Sequence, residues 1–116
     1  MASSKEYLQF ILEQLSGLEE INYRAMMGEY IIYYQGRIVG GIYDDRLLVK
    51  PTKSAVSYMP TATYELPYER AKEMLLVENV DSREYLAGLF NAMYDELPVH
   101  KANNKKKSLN NLYTFQ

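Results

Sequence analysis

The stretch from Tyr23 to Lys50, YRAMMGEYIIYYQGRIVGGIYDDRLLVK, limits the fold more than any other part of the chain. Runs rich in Ile, Val and Tyr alternate with two turn signals, Gln35-Gly36 and Asp44-Asp45. Gly accepts positive φ and Asp bonds nearby backbone N–H groups, so both pairs reverse the chain tightly. Links this short join antiparallel neighbours, because a parallel pair needs a crossover of a dozen or more residues. Ile21 to Met27 leads into a bend at Gly28, followed by strands over Glu29 to Tyr34, Ile38 to Tyr43 and Arg46 to Lys50, the last stopped by Pro51. Gly40-Gly41 falls inside a strand and marks a place where a helix or another backbone approaches closely.

Helices flank this sheet. Ser3-Ser4-Lys5-Glu6 fits a capping box, and Leu8, Ile11, Leu12, Leu15 and Leu18 follow at helical spacing, with Gly17 as a left-handed stop. Asp81 as N-cap, with Glu84 three residues on, opens a second helix. Its apolar stripe is Leu86, Leu89, Phe90, Met93 and Leu97, ended by Pro98. Between them, Thr52 to Met59 suits a short helix ended by Pro60, Thr61 to Leu66 reads as extended, and Pro67 to Arg70 as a turn. Met74 to Glu78 reads as a last strand. A competing reading makes Tyr68 to Leu76 one helix, since Ala71, Lys72, Glu73, Met74 and Leu75 favour it. The expected class is α+β, an antiparallel sheet with N- and C-terminal helices packed on it.

With 116 residues there is room for one domain, expected over residues 1–99. Residues 100–116 are expected to form a basic, disordered tail, and its end, NNLYTFQ, resembles a tobacco etch virus protease site with a threonine inserted. Lys101, Lys105, Lys106 and Lys107 are four of the 13 basic residues, leaving nine against 15 acids before them. An acidic body disfavours a broad phosphate-binding face, so nucleic acid is expected to meet the lysine tail weakly at most. Cysteine is absent, which removes disulfides and thiolate metal sites. No apolar run approaches the ~20 residues of a membrane span, and no signal peptide is visible. A cytoplasmic protein is expected.

The residues offer little catalytic chemistry. His100, the one histidine, lies in the tail beyond the last helix. Asp44-Asp45 suits a turn better than acid–base work, because adjacent side chains on a tight turn point apart. Gly36-Arg-Ile-Val-Gly-Gly matches neither common phosphate cradle. No enzyme, cofactor or metal is expected. The tyrosines point to an interface instead. Alternation puts Tyr30, Ile32 and Tyr34 on one sheet face and Ile31 and Tyr33 on the other, so both faces are apolar. One is covered by helices; the other is free for a partner or a dimer mate.

Arg24-Ala-Met-Met-Gly28, Tyr34-Gln-Gly36 and Gly41-Ile-Tyr-Asp44-Asp45-Arg-Leu-Leu-Val-Lys50 together resemble the TfoX/Sxy family's N-terminal domain, with Met27 for the usual Phe and Leu48 for the usual Tyr. The similarity covers roughly residues 5–98. It implies helices on an antiparallel sheet, similar to secretion chaperones, and a strand at Met74 to Glu78. The family is named for a competence regulator that acts with the cyclic-AMP receptor protein at promoters. The resemblance therefore implies a non-enzymatic protein-interaction module in transcriptional regulation, here without the regulators' C-terminal domain. The alternative is a small dimeric chaperone-like or ligand-binding domain. Arg24, Tyr34, Arg46 and Lys50, which flank the hairpins, are the expected partner contacts, and Arg46→Glu is expected to abolish capture without lowering stability.

Overall fold

The computed structural model of the chain describes residues 3–99; His100 and the lysine tail lie outside them. Hairpins build its first half. Strand β1 (Ile21–Met26) turns at Met27-Gly28 into β2 (Glu29–Tyr34), which turns at Gln35-Gly36 into β3 (Arg37–Ile42). The third reversal, at Asp44-Asp45, leads to β4 (Leu47–Val49), and Tyr43 and Arg46 exchange backbone hydrogen bonds across it. All six turn residues take positive φ, from 49° to 86°. Two-residue turns need this so that their twist matches the strands they join.

A short helix α2 (Lys53–Tyr58), strand β5 (Tyr64–Glu65), strand β6 (Met74–Leu76) and helix α3 (Arg83–Met93) follow, while α1 (Lys5–Gln14) precedes the sheet. The strands form one sheet in the order β1-β2-β3-β4-β6-β5, every neighbouring pair antiparallel. Met74 to Leu76 is therefore a strand and not the end of a helix. Leu75 is buried in the core, and that burial outweighs the helical preference of the residues before it.

The core lies between one sheet face and the helices. Leu8, Ile11 and Leu15 of the first helical segment and Leu86, Leu89, Phe90 and Met93 of α3 meet Ile32, Val39, Ile42 and Val49 of the sheet. In the register between β2 and β3, Ile32 faces Gly40 and Tyr33 faces Ile38, so Val39 is an inserted residue. This β-bulge turns Val39 into the core, where it is fully buried. Gly40 and Gly41 sit where other backbone comes close, as the sequence implied, and the neighbours are strands. A Cβ on Gly40 would overlap the Leu48 carbonyl; one on Gly41 would lie 2.6 Å from the Tyr30 carbonyl.

Both helix caps lie one residue from their expected positions. Ser4, not Ser3, caps α1, its Oγ accepting the Tyr7 N–H at 3.1 Å. Ser3 is buried instead: its hydroxyl donates to Glu29 (2.6 Å) and accepts the Asp45 N–H (3.1 Å). The Asp45 carboxylate accepts the Ser4 N–H at 2.8 Å, which pins the start of α1 onto the third turn. Ser82, not Asp81, caps α3. Gly17 is not a left-handed stop, because its φ lies outside that region; Glu20 (φ 59°) redirects the chain before β1.

A 3₁₀ turn (Tyr94–Glu96) after α3 folds back on α2. The Ser54 N–H and hydroxyl each donate to the Glu96 carboxylate at 2.9 Å. These bonds, the backbone one first, hold the Glu96 carboxyl below its usual value. A carboxyl depressed in the folded state stabilises above its unfolded pKa, and that contribution is lost as pH falls through the folded value. Glu96→Gln is therefore expected to lower the melting temperature near neutrality and to approach the parent in acid, once the parent's carboxyl is protonated. Melting curves of both proteins across that range check it; a difference that persists at low pH would contradict it.

Candidate functional site

The four residues expected to contact a partner do not converge. Tyr34 is a correction: it is buried in the helix-facing core, its hydroxyl donating to Asn91 Oδ1 at 2.6 Å and its ring packing on Phe90 and Tyr94. Its alternation with Ile32 places it on the covered face, so it offers a partner no surface. Arg46 is half-buried and fully engaged. Its Nε donates to the Tyr43 carbonyl, Nη1 to Glu65 and Nη2 to the Leu66 carbonyl. It ties the start of β4 to the segment that follows β5.

Arg24 and Lys50 remain available. Arg24 is exposed in β1, directly across from Ile31 of β2. Lys50 follows β4 and is half-buried. Neither makes a hydrogen bond from its side chain or an ion pair among the described residues. β2 and β3 separate β1 from β4, so the two cations stand on the order of 15 Å apart.

The second sheet face is partly covered by a segment whose role was not evident in the sequence. Leu48 points away from the helices, as its alternation with Leu47 and Val49 requires, yet it is fully buried. Residues 66–73 cross this face as a strap. Pro67 is buried, Tyr68 meets the ring of Tyr43 with centroids 6.1 Å apart, and Arg46 holds the strap at Leu66. Between strap and sheet lies a groove of about 430 Å³. Ile31 and Ile38 form its floor, Pro67 and Tyr68 its roof, and Lys50 and Lys72 stand at its rim. Tyr43, 8% exposed, lies with its ring tip over Gly41. Burial pushes its hydroxyl above the ordinary tyrosine value, with Tyr68 and Glu29 adding to the effect. The one sequence signal for this arrangement is Gly41, since a side chain there would meet the Tyr43 ring.

At the other end of the sheet β1 is an open edge. The Glu20 carbonyl accepts from the Gln35 N–H, so the even-numbered residues of β1 turn their backbone groups toward β2. Ile21, Tyr23 and Ala25 turn theirs outward. Tyr23, Met26 and Met27 are exposed, Met27 almost completely. Among the described residues no group of three or more His, Asp or Glu is placed to hold a metal ion, and no helix is long and apolar enough to cross a membrane.

Comparison with known proteins fits this architecture. The family model for the TfoX N-terminal domain matches residues 13–89. The uncharacterised 12.7 kDa protein in the trpE 5′ region of Spirochaeta aurantia is 29% identical over 80 residues, 69% of this chain and 70% of that one. No solved structure matches. The family match takes in all six strands and most of α3, so the chain belongs to the TfoX N-terminal domain family.

Proposed function

We propose that this domain is a non-enzymatic protein-interaction module that docks a component of the transcription machinery along β1. The open edge carries this reading. Three residues of β1, Ile21, Tyr23 and Ala25, offer outward N–H and C=O groups, with no proline among them and exposed Tyr23 and Met26 beside them. Such an edge recruits an extended segment of another chain by main-chain hydrogen bonds, and neighbouring side chains select it. Arg24, exposed and without an ion pair among the described residues, supplies a charge for that selection. The family's regulatory association supplies the transcriptional setting.

Ala25→Pro tests the reading, because it removes one outward N–H at an edge position that tolerates proline. Capture from the native host's lysate is expected to recover RNA polymerase or a DNA-bound regulator with the parent and to lose it with Ala25→Pro. Equal recovery by both proteins would place the contact elsewhere.

The same edge favours a second reading, a homodimer. With Tyr23 opposite Tyr23 of a second copy, all three outward residues pair, and Arg24 faces Asn22 rather than another arginine. Sedimentation of the parent as a dimer, and of Ala25→Pro as a monomer, would favour this use of the edge.

A further inference from the structure

The groove beneath the strap holds an unmet set of polar groups. The Tyr43 hydroxyl makes no hydrogen bond among the described residues, although Tyr43 is more than nine-tenths buried. The hydroxyl lies on the groove, so a ligand that brings an acceptor gains a hydrogen bond there. Lys50 and Lys72 at the rim have no ion pairs among the described residues. Glu73 also lies at the rim, leaving the three charged side chains with a net positive charge. Glu29, the acid nearest in effect to Tyr43, already accepts from Ser3 and from the Asp44 N–H. The remaining surface is apolar, chiefly Ile31, Ile38, Pro67 and Met74. The groove's volume lies within the usual range for small-molecule sites.

We propose that this groove binds a small amphipathic carboxylate, its acid group at Lys50, Lys72 and the Tyr43 hydroxyl and its hydrocarbon body along Ile31, Ile38 and Met74. Three properties select that class. A neutral hydrocarbon leaves the hydroxyl and both ammonium groups unmatched. An amine is repelled by the lysines. A highly charged anion forfeits the apolar floor. The strap gives the site a second wall, and Arg46 holds that wall by its bonds to Glu65 and Leu66. This site goes beyond the proposed docking edge: it lies under the strap beside β4 and needs no protein partner.

The test is an NMR titration of the full chain, labelled with ¹⁵N, using octanoate, octanol and octylamine in parallel. Octanoate is expected to shift the amides of Gly40, Gly41, Lys50 and Ala71 saturably, with Kd on the order of 0.1 to 1 mM. Octanol is expected to bind several-fold more weakly and octylamine not to saturate. Combining Lys50→Gln with Lys72→Gln is expected to weaken octanoate by about tenfold. Tyr43→Phe is expected to weaken it by about three- to tenfold. Shifts that do not saturate, that centre elsewhere, or that are equal for the three compounds would overturn the proposal. So would shifts that follow protein concentration instead of octanoate, which would assign the groove to a second copy. The outcome is separable from the edge reading, because Ala25→Pro is expected to bind octanoate as the parent does.

Discussion

Gly40→Ala is expected to cost the domain more than about 3 kcal/mol and to lower its melting temperature by more than about 10 °C. The added methyl would overlap the Leu48 carbonyl oxygen and lie 2.7 Å from Val49 Cα and 2.9 Å from the Leu48 carbonyl carbon. These are main-chain atoms of β4, a strand held by β3 on one side and β6 on the other. A rotamer change cannot relieve the overlap, so β3 and β4 would have to part. That would break the pairing of Gly40 with Val49 and the bond from the Lys50 N–H to the Val39 carbonyl at 2.9 Å. Gly17→Ala is the contrast. Its methyl would meet nothing within 4 Å, and the backbone there lies outside the left-handed region. It is expected to leave stability unchanged or raise it by about 0.4 to 1 kcal/mol. Urea unfolding of the two variants beside the parent checks both. A Gly40→Ala protein as stable as the parent would contradict the packing of β3 against β4.

Arg46→Glu is the second large effect, at about 2 kcal/mol of lost stability and roughly 10 °C in melting temperature. The sequence suggests a partner contact at position 46 whose change spares stability, whereas the structure places its guanidinium in three hydrogen bonds within the domain. The ion pair with Glu65 contributes modestly, because both side chains are about one-third exposed (30% and 32%). The larger part comes from the guanidinium bonds to the Tyr43 and Leu66 carbonyls; the Tyr43 carbonyl keeps the backbone N–H of residue 46, while the Leu66 carbonyl loses its side-chain donor. A glutamate would also stand against Glu65. The strap then loses its hold at Leu66, and trypsin is expected to cut faster after Arg70 and Lys72. Scanning calorimetry and timed trypsin digestion read the two consequences. An unchanged melting temperature with unchanged cleavage would show that Arg46 does not secure the strap.

The hairpins were legible because their signals are local. Gly28, Gly36 and the aspartate pair occupy turns whose positive φ they suit, and the strand bounds fall within a residue or two of those expected. The caps shifted by one because Ser3-Ser4 and Asp81-Ser82 each offer adjacent capping side chains, and in the first pair distant partners choose between them. Ser3 is taken by Glu29 and Asp45, which leaves Ser4 to cap α1. Tyr34 was grouped correctly with Tyr30 and Ile32. What makes it a core residue, Asn91 and Phe90 of α3, is more than fifty residues away and invisible to strand alternation. The strap was hidden for the same reason. Leu66 to Glu73 has the composition of an ordinary connection, and only the tertiary structure shows that it meets Tyr43 and shares a groove with Ile31 and Ile38.

Amide hydrogen exchange, measured residue by residue on the free chain and on its complex with the captured partner, tests the docking edge most directly. The account predicts that the Ile21, Tyr23 and Ala25 amides exchange freely in the isolated chain and become protected in the complex, while the β3 and β4 amides change little. Unchanged exchange at those three residues, with new protection on the helices or the strap, would contradict it.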